Sequence, residues 1–506
     1  MRELSRRDFV KSSIAAAGFF MASQGSALGM IERMGRGGGS VIDPPPGDVF
    51  KDPVEAQNLS AMTGVVEVNL EPGISPAYIN GIRANLLTYN GSYPGPTIRV
   101  RRGDTLKLHF KNSLPETMEK NILGFMKNVS NIHTHGWHVS PKEPSDAAHL
   151  HIMPGDTYNY SYDLSLQEAG TLNFYHPHIH GLTAEQLWGG LAGCLVTEDG
   201  TDVLAGYETH ILGLKDITLS GSSPAPYTSM MEYMHGKEGD TIMVNGQVNP
   251  VLSIRPGQVQ RWRIVNLSNA RFYKLSLENH LMHLIGTDGG LLDKPYPLSE
   301  IILSSGERID VLVKADRTSG TFRLRSLPYE RTGMCGSSGQ TITLMMMAYK
   351  GTKASDVIPS SINPDAVRLN MDMNALPKKT FVLSMKRGRG LINGHDFDVD
   401  PYTIMSDLDT YEVWEIVNQS GMDHNFHQHV NSSQILSIKG GDPGYASLFP
   451  SIPAWKDTVL IPKMGSTTML MPVMDYDGMT MFHCHIVEHE DIGMMGMWHI
   501  MGMDGM

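Results

Sequence analysis

The stretch His483-Cys484-His485-Ile486-Val487-Glu488-His489 sets one of only three cysteines in the chain between two histidines. A third histidine stands five residues beyond that cysteine and a methionine, Met494, ten beyond it. Thiolate, imidazole and thioether are metal ligands of graded softness. On an extended strand, residues i and i+2 point to one face and i+1 to the other. His483 and His485 then face one way and Cys484 the other. On its own face Cys484 can meet His489, Met494 and an upstream histidine, for which His424 is the natural candidate. Two His, one Cys and one long Met make the trigonal blue-copper arrangement. The two flanking rings are left for a different group of metals, and the backbone between the two faces becomes an electron path.

Six His-X-His pairs occur among 21 histidines: His133/His135, His149/His151, His176/His178, His178/His180, His427/His429 and His483/His485. Four of the motifs, NIHTHGWH, FYHPHIHG, MDHNFHQH and MFHCHIVEH, lie in strand-like text and present paired imidazoles. Eight imidazoles (His133, His135, His176, His178, His427, His429, His483 and His485) exceed what core packing asks for, and they suit copper, zinc, iron or nickel. A structural zinc site takes four ligands and needs no such surplus. The remaining histidines, among them His138, His149, His151, His180 and His395, read as ordinary hydrogen-bonded side chains, with His180 also a candidate support next to the site. The 34 methionines exceed filler needs; the thioether suits Cu(I).

These ligands need strands to hold them, and the chain repeats one layout three times. Asn90-Gly91, Asn245-Gly246 and Asn393-Gly394 each open a short strand, a polar break, an alternating strand, and then Asn with a small polar residue. Leu106-Lys107-Leu108-His109-Phe110 and Arg261-Trp262-Arg263-Ile264-Val265 have the period of two expected of half-buried strands. A spacing this long suits whole sandwich domains rather than solenoid repeats. Glycine (52) and proline (29) fit a turn-rich, all-β chain. We expect domains at 59–203, 204–365 and 366–506, after a leader (1–27) and a Gly/Pro-rich linker or arm (28–58). The net charge of −12, with no basic tract beyond the leader, argues against nucleic-acid binding. Arg6-Arg7 precedes an apolar run, Ile14 to Ala22, too short to span a bilayer, and small residues follow at Gly25-Ser26-Ala27. The leader resembles a twin-arginine signal and implies a periplasmic mature protein. No other segment is apolar enough to cross a membrane.

The four histidine motifs, in this order over roughly residues 60–503, resemble those of the multicopper oxidase family. The resemblance implies three cupredoxin-like Greek-key β-sandwich domains and four copper ions. The type 1 copper would take His424, Cys484 and His489, with Met494 axial. The type 2 copper would take His133 and His427. The type 3 pair would take His135, His176 and His485 on one ion, and His178, His429 and His483 on the other. The implied reaction couples one-electron oxidation of a donor at type 1 copper to reduction of O₂ to water at the trinuclear cluster. Glu490 occupies the place of the family's channel acid, and Asp146 resembles the acid that follows the first motif; both are candidate proton relays. The third motif departs from the family at Asn425, where Pro is usual, and at Val430, where Gly is usual. Neither position supplies a ligand, so altered packing or potential is expected rather than lost copper. In the middle repeat, Asn279-His280-Leu281-Met282-His283 reads as a degenerate site that binds nothing.

The donor is less legible. Methionines flank the last motif on both sides, and Met422, two residues before His424, resembles a docking ligand of periplasmic cuprous oxidases. That favours Cu(I) oxidation for copper tolerance, with laccase-like activity on phenols. The long Met/His-rich insertion of the enterobacterial cuprous oxidases is absent, since only a handful of residues separate Met385 from Asn393. A laccase with an organic phenol or amine donor, a copper-sequestering protein without turnover, and a scaffold that has lost its coppers are the alternatives. Met230-Met231-Glu232-Tyr233-Met234-His235 offers a further soft-metal patch. Cys194 reads as a small buried apolar residue, and no sequence rule pairs it with Cys335.

Overall fold

The computed structural model describes residues 41–200, 202–332 and 339–502. The leader and Cys335 lie outside the described residues, as do Met503 and Met506. The described chain is mostly strand with little helix. The three repeats share their local chemistry. Asn90, Asn245 and Asn393 all adopt left-handed φ of 52°, and the glycine after each is left-handed too. That is the two-residue hairpin turn for which Asn-Gly is the strongest signal. Each asparagine also reaches back. Its Oδ1 accepts from a neighbouring strand (Glu71, Gly213 or Val382 N) and its Nδ2 donates to Asn69, Ile211 or Thr380 O.

A second asparagine closes each alternating strand in the same way. Asn112, Asn266 and Asn418 are buried. In each, Oδ1 accepts from the amide two residues on, and Nδ2 donates to two backbone carbonyls across the loop. Buried peptide groups that a β-ladder cannot reach are thereby satisfied.

Each repeat folds into facing sheets. In the first, strands Val65–Leu70, Thr105–Lys111 and Thr157–Asp163 form one sheet, and Gly95–Val100, Gly193–Thr197, Leu172–His176 and His133–His135 form the other. Leu106, Leu108 and Phe110 meet Ile98, Tyr175 and Leu195 between them. In the third, Lys378–Lys386, Thr410–Asn418 and Ser466–Val473 face Tyr402–Asp407, Met495–Met501, Gly478–His483 and His424–Gln428. Phe381, Trp414, Phe426, Phe482 and Trp498 fill the space. The middle repeat builds its core on Leu212, Trp262, Ile264, Leu275, Leu324 and Leu344.

One expectation changes. Thr105–Lys111 alternates buried and exposed as anticipated, but Val259–Asn266 is buried on both faces. Its polar side chains are held by buried partners of its own domain and of the first domain rather than by water. Arg261 pairs with Asp310 and Asp199, and Arg263 donates to Gly170 O at 2.8 Å. The described part of the expected linker or arm, from residue 41 on, packs against the middle repeat: Gly47 N donates to Asn249 O at 2.8 Å, and Phe50 is buried.

Candidate metal centres

The HCH motif ends strand Gly478–His483 and leads into helix Val487–Asp491. Strand pairing brings His427 opposite His483 and His133 opposite His176. The rings of the first and third domains interleave: His135 stacks on His427 at 3.7 Å between centroids and His133 on His429 at 3.9 Å. His485 lies 4.6 Å from His135 and His483 lies 5.0 Å from His178. All eight imidazoles are at least nine-tenths buried. Ligand atoms of three sets converge: His133, His135 and His427; His135, His176 and His485; His178, His429 and His483.

Cys484 points the other way. Its Sγ lies 3.4 Å from His424 Nδ1 and 3.6 Å from His489 Nδ1, and those two nitrogens are 3.1 Å apart. Met494 is fully buried beside them, and Cys484 N donates to its carbonyl at 3.0 Å. Gly390 covers Met494: a Cβ on that glycine would come within 2.7 Å of the methionine's own.

The donor atoms fit bound cations better than they fit each other. His133 Nε2, His427 Nε2, His135 Nδ1, His176 Nε2 and His485 Nε2 are buried without a hydrogen-bond partner. Each such orphan costs about 1–3 kcal/mol. The Nε2 atoms of His178 and His429 both crowd His483 Nε2 at 3.2 Å. Burial holds the imidazoles of His135, His176, His429, His483 and His485 well below their usual range, and pushes His178 and His424 down to about 3. They are therefore neutral, the form that ligates a metal. Burial pushes the Cys484 thiol up to about 12, so a cation must displace its proton.

The opposite ring nitrogens are tied down. His133 Nδ1 donates to Asp146 Oδ2 at 2.8 Å, His427 Nδ1 to Asp457 O at 2.9 Å, and His176 Nδ1 to Pro177 O at 2.8 Å. His135 instead turns Nε2 to Asp457 Oδ1 at 3.1 Å, leaving Nδ1 toward the cluster. Such partners fix the ring and its tautomer. Burial would raise Asp146, but the His133 imidazole and the donors of Thr134 hold its carboxyl below the usual range. Asp457 is held far lower still: burial is outweighed by Arg308, whose guanidinium grips it with both terminal nitrogens.

Glu490 is no surface acid. It is fully buried, its Oε1 accepts from Thr183 Oγ1 at 3.0 Å, and its Oε2 lies 3.3 Å from His483 Nδ1. Burial, with the Asp491 carboxyl beside it, raises it well above the usual range. Asp491 accepts from the backbone N–H groups of Gly181 and Ala184, and Glu488 from Tyr227 OH. Sequence reasoning missed Arg308, Asp457, Glu488 and Asp491. The one available signal was a charge inside an otherwise apolar run, as in Trp455-Lys456-Asp457-Thr458-Val459.

Four further positions resolve. Asn425 Nδ2 donates to Ser305 O at 2.6 Å, which aims its Oδ1 at Cys484 Sγ, 3.6 Å away. Val430 adopts φ 70°, a left-handed conformation that explains why Gly is usual there. His280 spends both ring nitrogens on Glu278 O and Tyr349 OH. Cys194 is a buried free thiol.

Stacked β-sandwiches with one Cys–His₂ centre and one polyhistidine cluster define a copper oxidase with separate sites for donor oxidation and O₂ reduction. The chain belongs to the multicopper oxidase family: three models described as multicopper oxidase match residues 75–202, 207–352 and 364–502. The chain is 29% identical over 429 residues to a multicopper oxidase of Staphylococcus aureus, covering 83% of this chain and 85% of that one. It is 27% identical to a laccase of Bacillus subtilis over 468 residues, covering 80% and 88%. A solved metallo-oxidase from Campylobacter jejuni superposes with a TM-score of 0.78 at 27% identity, covering 92% of this chain and 98% of that one. The protein is thus a copper-dependent oxidase.

Proposed function

We propose that this oxidase takes electrons from Cu(I) at the Cys484 centre and passes them to O₂ at the histidine cluster. His424, Cys484 and His489, with Met494, would hold the type 1 copper. Type 2 copper takes His133 and His427. The type 3 pair takes His135, His176 and His485 on one side, and His178, His429 and His483 on the other. Bound copper supplies one-electron redox at the first centre and multi-electron reduction of O₂ at the second.

The chain's own part is to order these groups. Cys484 shares a backbone with His483 and His485, so a covalent path of a few bonds joins the two centres. Glu490, buried against His483 and held by Thr183, keeps a proton at the cluster's edge. Asp146 fixes the His133 ring on the opposite edge.

The observation that carries the choice of donor is the wall over His489. Its Nε2 donates to Met234 O at 3.1 Å, so the edge through which electrons would arrive is covered by helix Met230–His235. This helix starts at Ser229, whose backbone N–H donates to Glu232, and carries three methionines. Met234 and Met385 both pack, half-buried, against the buried cluster that holds Val487 and Ile492. The second ligand ring is covered too: His424 Nε2 lies 2.8 Å from Ser420 Oγ, with Met422 two residues on. A wall of thioethers suits a soft monovalent ion; a broad phenol needs an open ring edge. The C. jejuni neighbour's name, a metallo-oxidase, agrees with this reading.

Copper counting with EPR, alongside initial O₂ consumption rates on Cu(I) and on a bulky phenol, tests it. Cu(I) should be preferred, and Met234→Leu with Met422→Leu should raise KM for Cu(I) while leaving phenol turnover intact. Phenol oxidation that exceeds Cu(I) oxidation without added Cu(II) would select the laccase reading. No oxygen uptake with any donor would leave a sequestering protein. We further propose export to the periplasm through the Arg6-Arg7 leader, checked by fractionating cells that carry Arg6→Lys with Arg7→Lys.

A further inference from the structure

The methionines around the last motif do not all serve the Cys484 centre. In strands Gly478–His483 and Met495–Met501 the register sets His483 opposite Met495, Met481 opposite Met497, and Met479 opposite His499. Residues two apart share a face, and directly opposed residues have Cβ atoms about 4.5–5.5 Å apart. All six therefore lie on the face of the cluster ligand His483. The other face carries Phe482, Trp498 and Ile500 into the core. On the far side of Met495–Met501, Met405 pairs with His499 and widens the outermost rung. Exposure rises along the ladder, from Met495 at 1% through Met481 at 8% to Met479 at 45% and Met405 at 56%.

The ladder borders two cavities that reach the cluster. One, of about 280 Å³, runs from Met479, Met481 and Met497 to His429 and Asp146. The other, of about 460 Å³, runs from Met481, Met495 and Met126 to His178. His149 lines both, and with His151 it is exposed at the rim. His180, with one buried nitrogen unpartnered, lines the second. Leucine would serve as well if these spaces only had to be apolar. Thioether sulfurs in successive rungs, ending at a ligand imidazole, offer a soft cation a new donor at each step.

We propose that this ladder is a Cu(I) loading route, by which the ion passes from His149 and Met479 along Met481 and Met497 to the histidine cluster. No covalent bond is broken and no electron moves: at each step one Cu–S or Cu–N coordination bond forms as the previous one breaks, between neutral thioether and imidazole donors. The proposal rests on the ligand assignment above but not on the choice of donor, since it concerns resident copper.

The test uses the full chain, stripped of copper and refilled without oxygen by Cu(I) as its acetonitrile complex, or by Cu(II) sulfate. After reoxidation, the type 2 EPR signal reports the cluster and the blue absorption reports the Cys484 centre. In Met481→Leu with Met497→Leu, which keeps side-chain volume, the cluster should refill from Cu(I) roughly tenfold more slowly, the scale of losing a supporting metal contact. The Cys484 centre should refill at the parent rate, and Cu(II) should fill both forms alike. Met479→Leu, at the exposed end, should slow Cu(I) refilling in the same sense and tests the route where folding is not at issue. Equal Cu(I) rates in all forms, or equal slowing with Cu(I) and Cu(II), would overturn the proposal and leave the methionines as cavity lining. If the ligand assignment itself were wrong, the type 2 signal would be missing from the parent protein as well.

Discussion

The two sides of one short strand serve centres built in opposite ways. The Cys484 side is local: Cys484, His489 and Met494 come from eleven consecutive residues, and only His424 is brought from elsewhere in the same domain. The histidine side is assembled across domains. His133, His135, His176 and His178 come from the first repeat and the rest from the third. The middle repeat adds Arg308, whose guanidinium holds Asp457 under His135 and His427. A centre encoded in one segment depends mostly on its own packing. A centre shared by three domains depends on every buried charge that fixes their docking.

The sharpest way to separate the two sides is Cys484→Ser. It should abolish the blue absorption and O₂ turnover and remove one copper per chain, while the type 2 EPR signal persists. Loss of both centres together would show that the cluster also depends on the thiolate's face. Next in size is Glu490→Gln, which keeps the shape but removes the carried proton. Turnover should fall by roughly 10²–10⁴-fold, the scale of a positioned general acid. Anaerobic reduction of the Cys484 centre, followed by bleaching in stopped flow, should keep its parent rate.

How much of this was legible follows the same division. The Cys484 centre could be read because strand alternation and a single turn of helix fix the relative positions of Cys484, His489 and Met494. The repeats could be read because Asn90-Gly91, Asn245-Gly246 and Asn393-Gly394 demand left-handed backbone wherever they occur. Arg308 and Asp457 could not. They are 149 residues apart, and each looks like a strand charge facing water until the domains dock. Arg261 and Arg263 misled in the same way: their alternation with Trp262 and Ile264 is real, but the polar face meets Asp310, Asp199 and the Gly170 carbonyl rather than solvent. The helix at Met230–His235 was visible as a methionine patch, yet nothing local says that it lands on His489.

Asp457→Asn tests the interdomain side more gently than removing a ligand. The amide keeps the volume but loses the charge that Arg308 holds. The cluster should bind copper about 10–100-fold more weakly, seen as loss of the type 2 EPR signal on mild chelation. The Cys484 centre should keep its colour under the same chelator. Arg308→Ala leaves Asp457 buried without its cation, while Asp288 keeps Lys456 at 2.9 Å, and should cost about 3–5 kcal/mol in denaturant unfolding. A loss of blue colour in either variant would deny the separation between the two sides.

The smallest effect sharpens the local side. Gly390 lies on an ordinary strand, Arg389–Ile392, and its conformation does not demand glycine; its space does. A methyl group there would sit 2.7 Å from Met494 Cβ and 3.1 Å from both His489 O and Met494 N. Two of those three atoms are backbone and cannot swing aside, so the strand and the Met494 segment must part. Gly390→Ala should cost about 1–3 kcal/mol, the usual penalty of overpacking. If Met494 is the fourth ligand proposed for this centre, its displacement should shift the intensity and potential of the blue centre. No atom that Gly390 would crowd belongs to the histidine cluster. The type 2 signal should therefore stay at parent strength while the blue band changes, and a change in both would mean that the two faces are mechanically coupled through the HCH strand.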